Sequence, residues 1–224
     1  MKKLIFFISI LILVTTSSCV TSLRPLVTYN TAIADNRVEG AWELEGQEYI
    51  VQKYSGFYKK NKVDFEKNQE KNGQLSEKDK RDSILYSKSY RIKYSKEGLE
   101  YSFFGSMIKL NGRLFMNFIT ADLKSIDSTK DVPEFNYANP INSHTIARVE
   151  FSNTNTMKLD FIDGGYLYDQ IKAGRMKIKN ETDELYGAFL ITASTTELQQ
   201  FLGKYGNDSR FFNKENSVTL IRKS

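Results

Sequence analysis

Apolar and polar side chains alternate in paired short segments along most of this chain, and this alternation constrains the fold more than any other feature. The clearest pair spans residues 90–94 and 99–103, and Glu97-Gly98 between them is typical of a turn. Its alternating apolar positions are Tyr90, Ile92, Tyr94, Leu99, Tyr101 and Phe103. A period of two is typical of strands with one buried face, so this pair predicts a β-hairpin.

Two further pairs of segments repeat the pattern. Residues 107–110 and 114–119 flank Asn111-Gly112, a dipeptide that favours a tight hairpin turn because both residues tolerate positive φ. Both faces of this pair carry apolar residues, which predicts strands that are covered on both sides. One face carries Ile108 and Phe115, and the other carries Met107, Leu114 and Met116. Residues 147–151 and 157–161 form the third predicted hairpin.

Other alternating segments predict further strands. Residues 40–54 predict one long strand near the start of the domain. Three shorter strands are predicted at residues 176–179, 186–192 and 218–222, with a turn over residues 180–183.

The C-terminal third also contains signals for two short helices. Residues 166–173 end at Gly174, which is typical of a helix followed by a glycine stop. Ser194 and Glu197 have the spacing of a capping box, in which each residue satisfies the other's backbone N–H, and they predict the start of a helix that continues to Tyr205.

Together these segments predict a mainly β fold, with eight or nine strands in consecutive hairpins. The 15 Phe and 13 Tyr residues favour strands and supply the apolar faces that such strands pack together. An antiparallel meander of this size must bury its apolar face and protect its edges. We therefore expect it to close into a barrel or a strongly curved sheet.

The chain divides into a leader, a linking segment and one domain. Residues 1–18 are the predicted signal peptide, residues 19–38 a lipidated tether, and residues 39–224 a single β-rich domain. Within that domain, residues 66–82 contain one apolar side chain and predict a mobile polar insertion. Residues 121–143 predict a long polar connection.

The leader has the three parts of a secretory signal. Lys2 and Lys3 are its positive start, residues 4–14 are an apolar stretch, and small polar residues follow up to Cys19, the only cysteine. The apolar stretch is shorter than the approximately 20 residues that a membrane-spanning helix needs. A secreted chain with one cysteine has no partner for an internal disulfide.

Residues 13–19 resemble the lipobox of bacterial lipoproteins, with Ser18 directly before Cys19. The resemblance implies that signal peptidase II cleaves before Cys19 and that this residue carries acyl chains, which anchor the protein in the cell envelope. Val20 and Thr21 follow the cysteine in place of the aspartate linked to inner-membrane retention. The expected location is therefore the outer membrane, facing the periplasm.

Gly40-Ala41-Trp42 resembles the G-x-W signature of lipocalins. The resemblance implies an eight-stranded antiparallel barrel with Trp42 packed across its bottom and a C-terminal helix against its wall. Such a barrel would bind a small apolar ligand in its interior. Its candidate ligand-binding residues are the inward aromatics Trp42, Tyr90, Tyr94, Tyr101 and Phe103.

An alternative is an interaction or structural lipoprotein, with a filled core, that meets an envelope protein through residues 66–82 and 121–143. A third hypothesis is a hydrolase, although no catalytic motif supports one. The only histidine, His144, is more typical of a structural residue than of a catalytic or metal-binding one. Asp160, Asp163 and Asp169 are close in sequence, but their spacing does not match a calcium loop. We therefore predict no catalytic residues, metal or cofactor.

The charge balance argues against a nucleic-acid partner. Without Lys2 and Lys3, 30 basic residues stand against 27 acidic ones, and the two signs are mixed along the chain. Nucleic-acid binding calls for a concentrated basic stripe, which this distribution does not show.

We expect mass spectrometry of the mature protein to find a chain that begins at Cys19 and carries acyl chains on that residue. The physical reason is that a leader too short to span the membrane leaves the acyl chains as the anchor. An unmodified thiol at Cys19, or a different first residue, would contradict the prediction.

Overall fold

Eight antiparallel strands close into a barrel in the computed structural model, which describes residues 20–54, 76–96, 98–125, 143–183, 188–212 and 217–223. The predicted leader, Cys19 and most of the two long polar segments lie outside these residues. The strands are β1 (Thr21–Ser22), β2 (Gly40–Leu44), β3 (Gln47–Lys53), β4 (Tyr90–Lys96), β5 (Leu99–Leu110), β6 (Arg113–Ser125), β7 (His144–Asn153), β8 (Thr156–Phe161), β9 (Asn180–Asp183), β10 (Ala188–Ile191) and β11 (Val218–Arg222). The α-helices are α1 (Glu77–Ser87), α2 (Gly164–Lys172) and α3 (Thr195–Tyr205).

The barrel follows the chain from β2 to β8 and is completed by β11. β6 pairs with β7 across the long connection, and β11 pairs with β8 on one side and with β2 on the other. Every barrel strand therefore has two hydrogen-bonded neighbours, which removes the exposed edges of the sheet. The predicted fold class is confirmed: the protein is mainly β, with a lipocalin-like barrel.

One end of the barrel, here called the closed end, is sealed by the segment before β2. A short 3-10 helix at Asn36–Val38 places Val38 in the core. The Trp42 indole N–H donates to the Val38 carbonyl at 2.8 Å, and Trp42 has no exposed surface. The opposite, open end includes the turn between β2 and β3 and the residue that precedes β7, Ser143.

Two hydrophobic cores share the barrel wall. The barrel core inside the wall includes Met107 and Met116, whereas Ile108 and Phe115 point outward. On the outside, Ile108 and Phe115 join apolar residues of α2 and α3, such as Leu167 and Leu198, in an outer core. The prediction that the hairpin around Asn111-Gly112 is covered on both sides is therefore confirmed.

Both helices expected in the C-terminal third are present. Asp163 caps α2, and its carboxylate accepts from the Tyr166 amide at 2.8 Å. Ser194 and Glu197 form the predicted capping box at the start of α3. Hydrogen bonds from the Ser194 hydroxyl, the Ser194 backbone N–H and Lys179 lower the Glu197 pKa to about 2, so the carboxylate that completes the box stays ionised at neutral pH.

The long strand predicted at residues 40–54 is wrong, because the chain folds back within it. β2 and β3 form a hairpin, and Glu45 and Gly46 between them have φ values of 51° and 78°. Positive φ at both central positions is the geometry of a tight hairpin turn. The sequence gives only a weak signal here, since glutamate at the first turn position is uncommon.

The predicted strand at residues 176–179 and the turn at residues 180–183 are also wrong. Residues 176–179 are not part of a strand, although the Lys179 carbonyl accepts from the Thr192 N–H at 3.0 Å, and Asn180–Asp183 form β9 against β10. The alternation that suggested a strand has another cause: Met176 and Ile178 pack on the outer core, while Lys177 and Lys179 are exposed.

Part of the predicted mobile insertion is helical. Residues 77–82 belong to α1, whose start is capped by Ser76, and residues 66–75 lie outside the described residues. No residue of α1 is buried. Local capping and acidic residues in the first turn favour this helix where the apolar pattern does not.

Residues 20–38, predicted as a tether, are packed into the domain instead. β1 lies between β7 and β10 in a small extension of the sheet, which β9 completes. Val20, Leu26 and Val27 are buried in the outer core. Their apolar side chains were visible in the sequence, but the surface that they cover is formed by helices and strands that are distant in the chain.

Adding a methyl group at Gly40 should lower the stability of the folded protein more than adding one at Gly46. Its φ of 132° is strained for other residues, and a Cβ there would overlap the Arg222 guanidinium. Gly46→Ala serves as the control, because a Cβ at Gly46 meets nothing within 4 Å. In chemical denaturation we expect Gly46→Ala to cost about 1–2 kcal/mol and Gly40→Ala about 3 kcal/mol or more. Equal losses would contradict this account of the closed end.

Candidate functional site

The barrel encloses a cavity of about 360 Å³ between the closed end and the open end. The pleat of the strands explains why apolar residues line it, since alternate side chains point to the same face. On β4, for example, Ile92 points inward, while Lys93 points outward and pairs with Glu100 at 2.8 Å. The apolar lining residues are Val38, Leu44, Val51, Ile92, Phe103, Met116, Phe118, Met157, Leu159, Phe161, Val218 and Leu220.

Hydroxyl groups supply the polar part of the lining, and they belong to Tyr49, Thr120, Ser143 and Thr145. The strand register places these four residues in the half of the barrel nearer the open end. Among the described residues that line the cavity, none is charged. The cavity thus has an apolar floor and four hydroxyl-bearing residues closer to its opening.

The five aromatic residues predicted to bind ligand are brought into the barrel but occupy different levels. Phe103 lines the cavity. Tyr94 stacks on Tyr101 with ring centroids 4.7 Å apart, and it also contacts Phe103 at 6.1 Å. Trp42 and Tyr90 lie deeper, at the closed end, and both are fully buried. Phe103 is therefore the member of the predicted set that directly contacts the cavity.

Tyr49 is a lining residue that the predicted set lacks. It lies opposite Tyr94, which lies opposite Tyr101, so the three tyrosines form a row across β3, β4 and β5. The Tyr49 and Tyr94 rings are 5.1 Å apart. The alternation within residues 47–53 was the available signal, but placing Tyr49 in this row requires the turn at Glu45-Gly46.

Burial raises the pKa of both Tyr49 and Tyr94. The nearby carboxylate of Glu45 adds to the effect on the Tyr49 pKa, and the Tyr101 and Tyr49 phenols add to it at Tyr94. Both hydroxyls consequently stay protonated well above neutral pH. In that form each can donate one hydrogen bond to a polar group near the opening of the cavity.

The closed end depends on Arg222, which stacks over Trp42 at 4.3 Å from the ring centroid. Its guanidinium donates to the carbonyl oxygens of Glu39 at 2.6 Å, Arg37 at 2.5 Å and Thr154 at 3.1 Å. The planar guanidinium has several N–H donors, so it can donate to three acceptors that lie in different directions. Trp42 is thus part of the floor structure and is not among the described residues that line the cavity.

His144 has a structural partner. Its Nδ1 lies 3.0 Å from the Asn117 side-chain amide, whose oxygen accepts from the Leu26 backbone N–H at 2.9 Å. Burial lowers the His144 pKa, which favours the neutral ring that can accept from Asn117. The histidine therefore helps to hold the N-terminal segment against β6 and β7.

The three aspartates that were considered for calcium serve other roles. Asp160 is almost fully buried and pairs with Arg148 at 2.8 Å and with Lys158 at 2.7 Å. Burial opposes ionisation of Asp160, but hydrogen bonds from Lys158, Ser217 and Arg148 outweigh it and lower the pKa. Asp163 caps α2, as described above, and Asp169 is exposed within the same helix.

Two further kinds of feature are absent from the described part of the chain. No group of three or more His, Cys, Asp or Glu side chains there is placed to hold a metal ion. Within the same residues, no helix has the length and apolar character needed to span a bilayer.

Comparisons of the chain with protein-family models, with curated proteins and with solved structures found no match. The functional interpretation therefore depends on the cavity and on the sequence.

The stability that the buried Tyr90 phenol contributes at the closed end should depend on pH. Its hydroxyl donates to the Asp35 carbonyl at 2.8 Å, and burial raises its pKa to about 12 from an ordinary value of 10.0. Between these two values the unfolded chain loses this proton and the folded chain keeps it. The stabilisation by Tyr90 is therefore complete below pH 10 and is lost as the pH rises towards 12.

We expect Tyr90→Phe to be less stable than the wild type below pH 10, by about 1 kcal/mol for the lost hydrogen bond. The difference should shrink between pH 10 and pH 12, because the variant has no phenol to ionise at this position. Urea unfolding of both proteins across this range measures the difference. A gap that stays constant would contradict the assigned burial and hydrogen bond.

Proposed function

We propose that this chain is a lipid-anchored protein of the bacterial cell envelope whose barrel binds a small apolar ligand. The observation that supports binding is the open cavity of about 360 Å³ with its uncharged lining. Small-molecule sites are typically concave, largely preformed and mostly apolar, with volumes of roughly 300–1,000 Å³. The cavity lies at the lower end of that range, which suits a ligand of modest size.

The lining also indicates what part of a ligand is buried. A charged group brought into this cavity would lose its hydration without finding a charged partner among the described lining residues, and that loss is costly. Hydrocarbon can enter at little cost and gains from leaving water. We therefore propose a ligand with an uncharged apolar body inside the barrel and one polar group near Tyr49, Thr120 and Thr145.

The proposed anchor is Cys19, within the lipobox-like segment described above. The apolar leader, the small residues that follow it and the single cysteine support this proposal. The expected place is the outer membrane, facing the periplasm, since Val20 and Thr21 follow the cysteine. We propose no enzymatic activity.

The alternative is a lipoprotein with a filled core that recognises a protein partner. The cavity argues against a filled core. One observation favours a partner: α1 has no buried residue, and Ile84 on it is 44% exposed. Ligand binding requires the cavity, whereas partner binding by α1 does not, so a pair of variants in the barrel tests the ligand-binding proposal directly.

The pair uses adjacent residues of β11 that point to opposite faces. Val218 lines the cavity, whereas Thr219 is exposed on the outer face. We expect the wild-type protein to bind a fluorescent fatty acid saturably, as measured by titration. Val218→Trp should weaken this binding by about tenfold or more, equivalent to about 1.4 kcal/mol, because the indole occupies space that the ligand needs.

Thr219→Trp is the matched control and should bind like the wild type. Circular dichroism of all three proteins checks that the barrel is folded. Absence of saturable binding to fatty acids and to sterols by the folded wild type would contradict the proposed ligand class. Equal loss in both variants would show that the cavity is not the site.

A further inference from the structure

A groove of about 810 Å³, here called the basic groove, lies on the outer side of the barrel wall. It runs between α3 and residues 171–179, which include the end of α2. Its apolar floor belongs to the outer core and consists of Ile171, Met176, Ile178, Phe201 and Tyr205. The basic groove shares no described lining residue with the cavity inside the barrel, so the two are separate sites.

The two walls of the basic groove run in opposite directions. At one end, Lys179 pairs with Glu197 in the first turn of α3 at 3.0 Å. At the other end, the Tyr205 hydroxyl donates to the Arg175 carbonyl at 3.5 Å. Because an α-helix rises 1.5 Å per residue, these two ends lie about 12 Å apart. The basic groove is therefore about as long as four residues of an extended peptide.

Positive charge dominates the described residues that line the basic groove. One of them is an acid, Glu197, and four are exposed cations, namely Arg175, Lys177, Lys179 and Lys204. The Glu197 carboxylate is already bonded to Lys179 and to the N–H and hydroxyl of Ser194. Within the described part of the chain, no carboxylate pairs with Arg175, Lys177 or Lys204. The basic groove thus presents three uncompensated positive charges above an apolar floor.

Three of the cations alternate with floor residues along one wall. Met176 and Ile178 pack on the outer core, whereas Arg175, Lys177 and Lys179 are exposed. In extended chain, residues two positions apart are separated by about 6.5 Å, and any second extended chain has the same repeat. Acidic side chains at alternate positions of such a chain would therefore match these cations, while the intervening side chains meet the floor.

We infer that the basic groove binds an extended acidic segment of a partner protein, with carboxylates against the cations and apolar side chains on the floor. Complementary charge favours an acidic partner and disfavours a basic one. The cations are spread along about 12 Å and do not converge on one point, so a single small anion would reach only part of them. A flat bilayer would contact the rim of a concave groove and leave the apolar floor uncovered.

The inference can be tested with a synthetic peptide as the probe. A fluorescently labelled peptide of eight residues, in which aspartate and leucine alternate, is titrated with the full chain in neutral detergent. Fluorescence anisotropy measures binding, with the detergent alone as the blank. We expect saturable binding that weakens as the salt concentration rises, because salt screens exposed charges. Absence of saturable binding at low salt would overturn the inference.

Two control peptides test the chemistry of the partner. The same peptide with asparagine in place of aspartate should bind about tenfold more weakly or less, because it offers no charge to the cations. A peptide with four aspartates followed by four leucines has the same composition without the alternation, and it should also bind more weakly. Equal binding of either control peptide would overturn the proposed charge match or the proposed spacing.

A pair of double variants tests whether the peptide binds in the basic groove. Lys177→Gln/Lys204→Gln removes one cation from each wall and should weaken binding by about fivefold or more. Lys96→Gln/Lys109→Gln removes the same charge from exposed positions on β4 and β5, outside the basic groove, and should change binding by less than about twofold. Circular dichroism checks that both variants are folded. Equal losses would show that net charge alone attracts the peptide and would overturn the site.

Two other polyanions distinguish a protein partner from other acidic partners. A single-stranded DNA oligonucleotide and phosphatidylglycerol vesicles are each added to the complex of the full chain with the alternating peptide. We expect neither to displace the peptide at a matched concentration of negative charge, because neither places apolar groups on the floor between its charges. Displacement by the oligonucleotide or by the vesicles would overturn the proposed class of partner.

Discussion

Closure of the barrel by β11 is the constraint on which the rest of the structure depends. This strand joins β8 to β2 and thereby removes both free edges of a sheet that follows the chain in simple hairpins. Its last residue, Arg222, donates to three backbone carbonyls and covers Trp42. The same residues that close the sheet therefore also seal one end, and the enclosed space opens at the other.

The barrel wall packs against an apolar core on its outer face and lines a cavity on its inner face. On its outer face, α2, α3 and residues 20–38 bury a continuous apolar surface and fix the N-terminal segment to the domain. On its inner face, the side chains above the floor leave a cavity of about 360 Å³. The outer core thus supplies the packing that stabilises the wall, and the inner face encloses the space in which we propose that a ligand binds.

Much of the fold could be predicted because hairpins are local. The alternation at residues 90–103, the Asn111-Gly112 turn and the two-sided apolar pattern of β5 and β6 each identify neighbouring strands. The β2–β3 turn was missed because Glu45 takes a positive φ that its residue type does not suggest. Of the candidate site, Phe103 was found, whereas Tyr49 was not, since its position depends on that turn. The depth of Trp42 and Tyr90 depends on the segment that covers the closed end, which sequence spacing does not show.

The sequence by itself determined the period-two strands, the tight turn at Asn111-Gly112 and the capped helices of the C-terminal third, because each is set by residues within a few positions of one another. Only the tertiary structure decided which strands meet across long connections, which aromatics contact the cavity, and that residues 20–38 pack as part of the domain. Those outcomes depend on shape complementarity between surfaces that are distant in the chain, and no local pattern specifies such a fit.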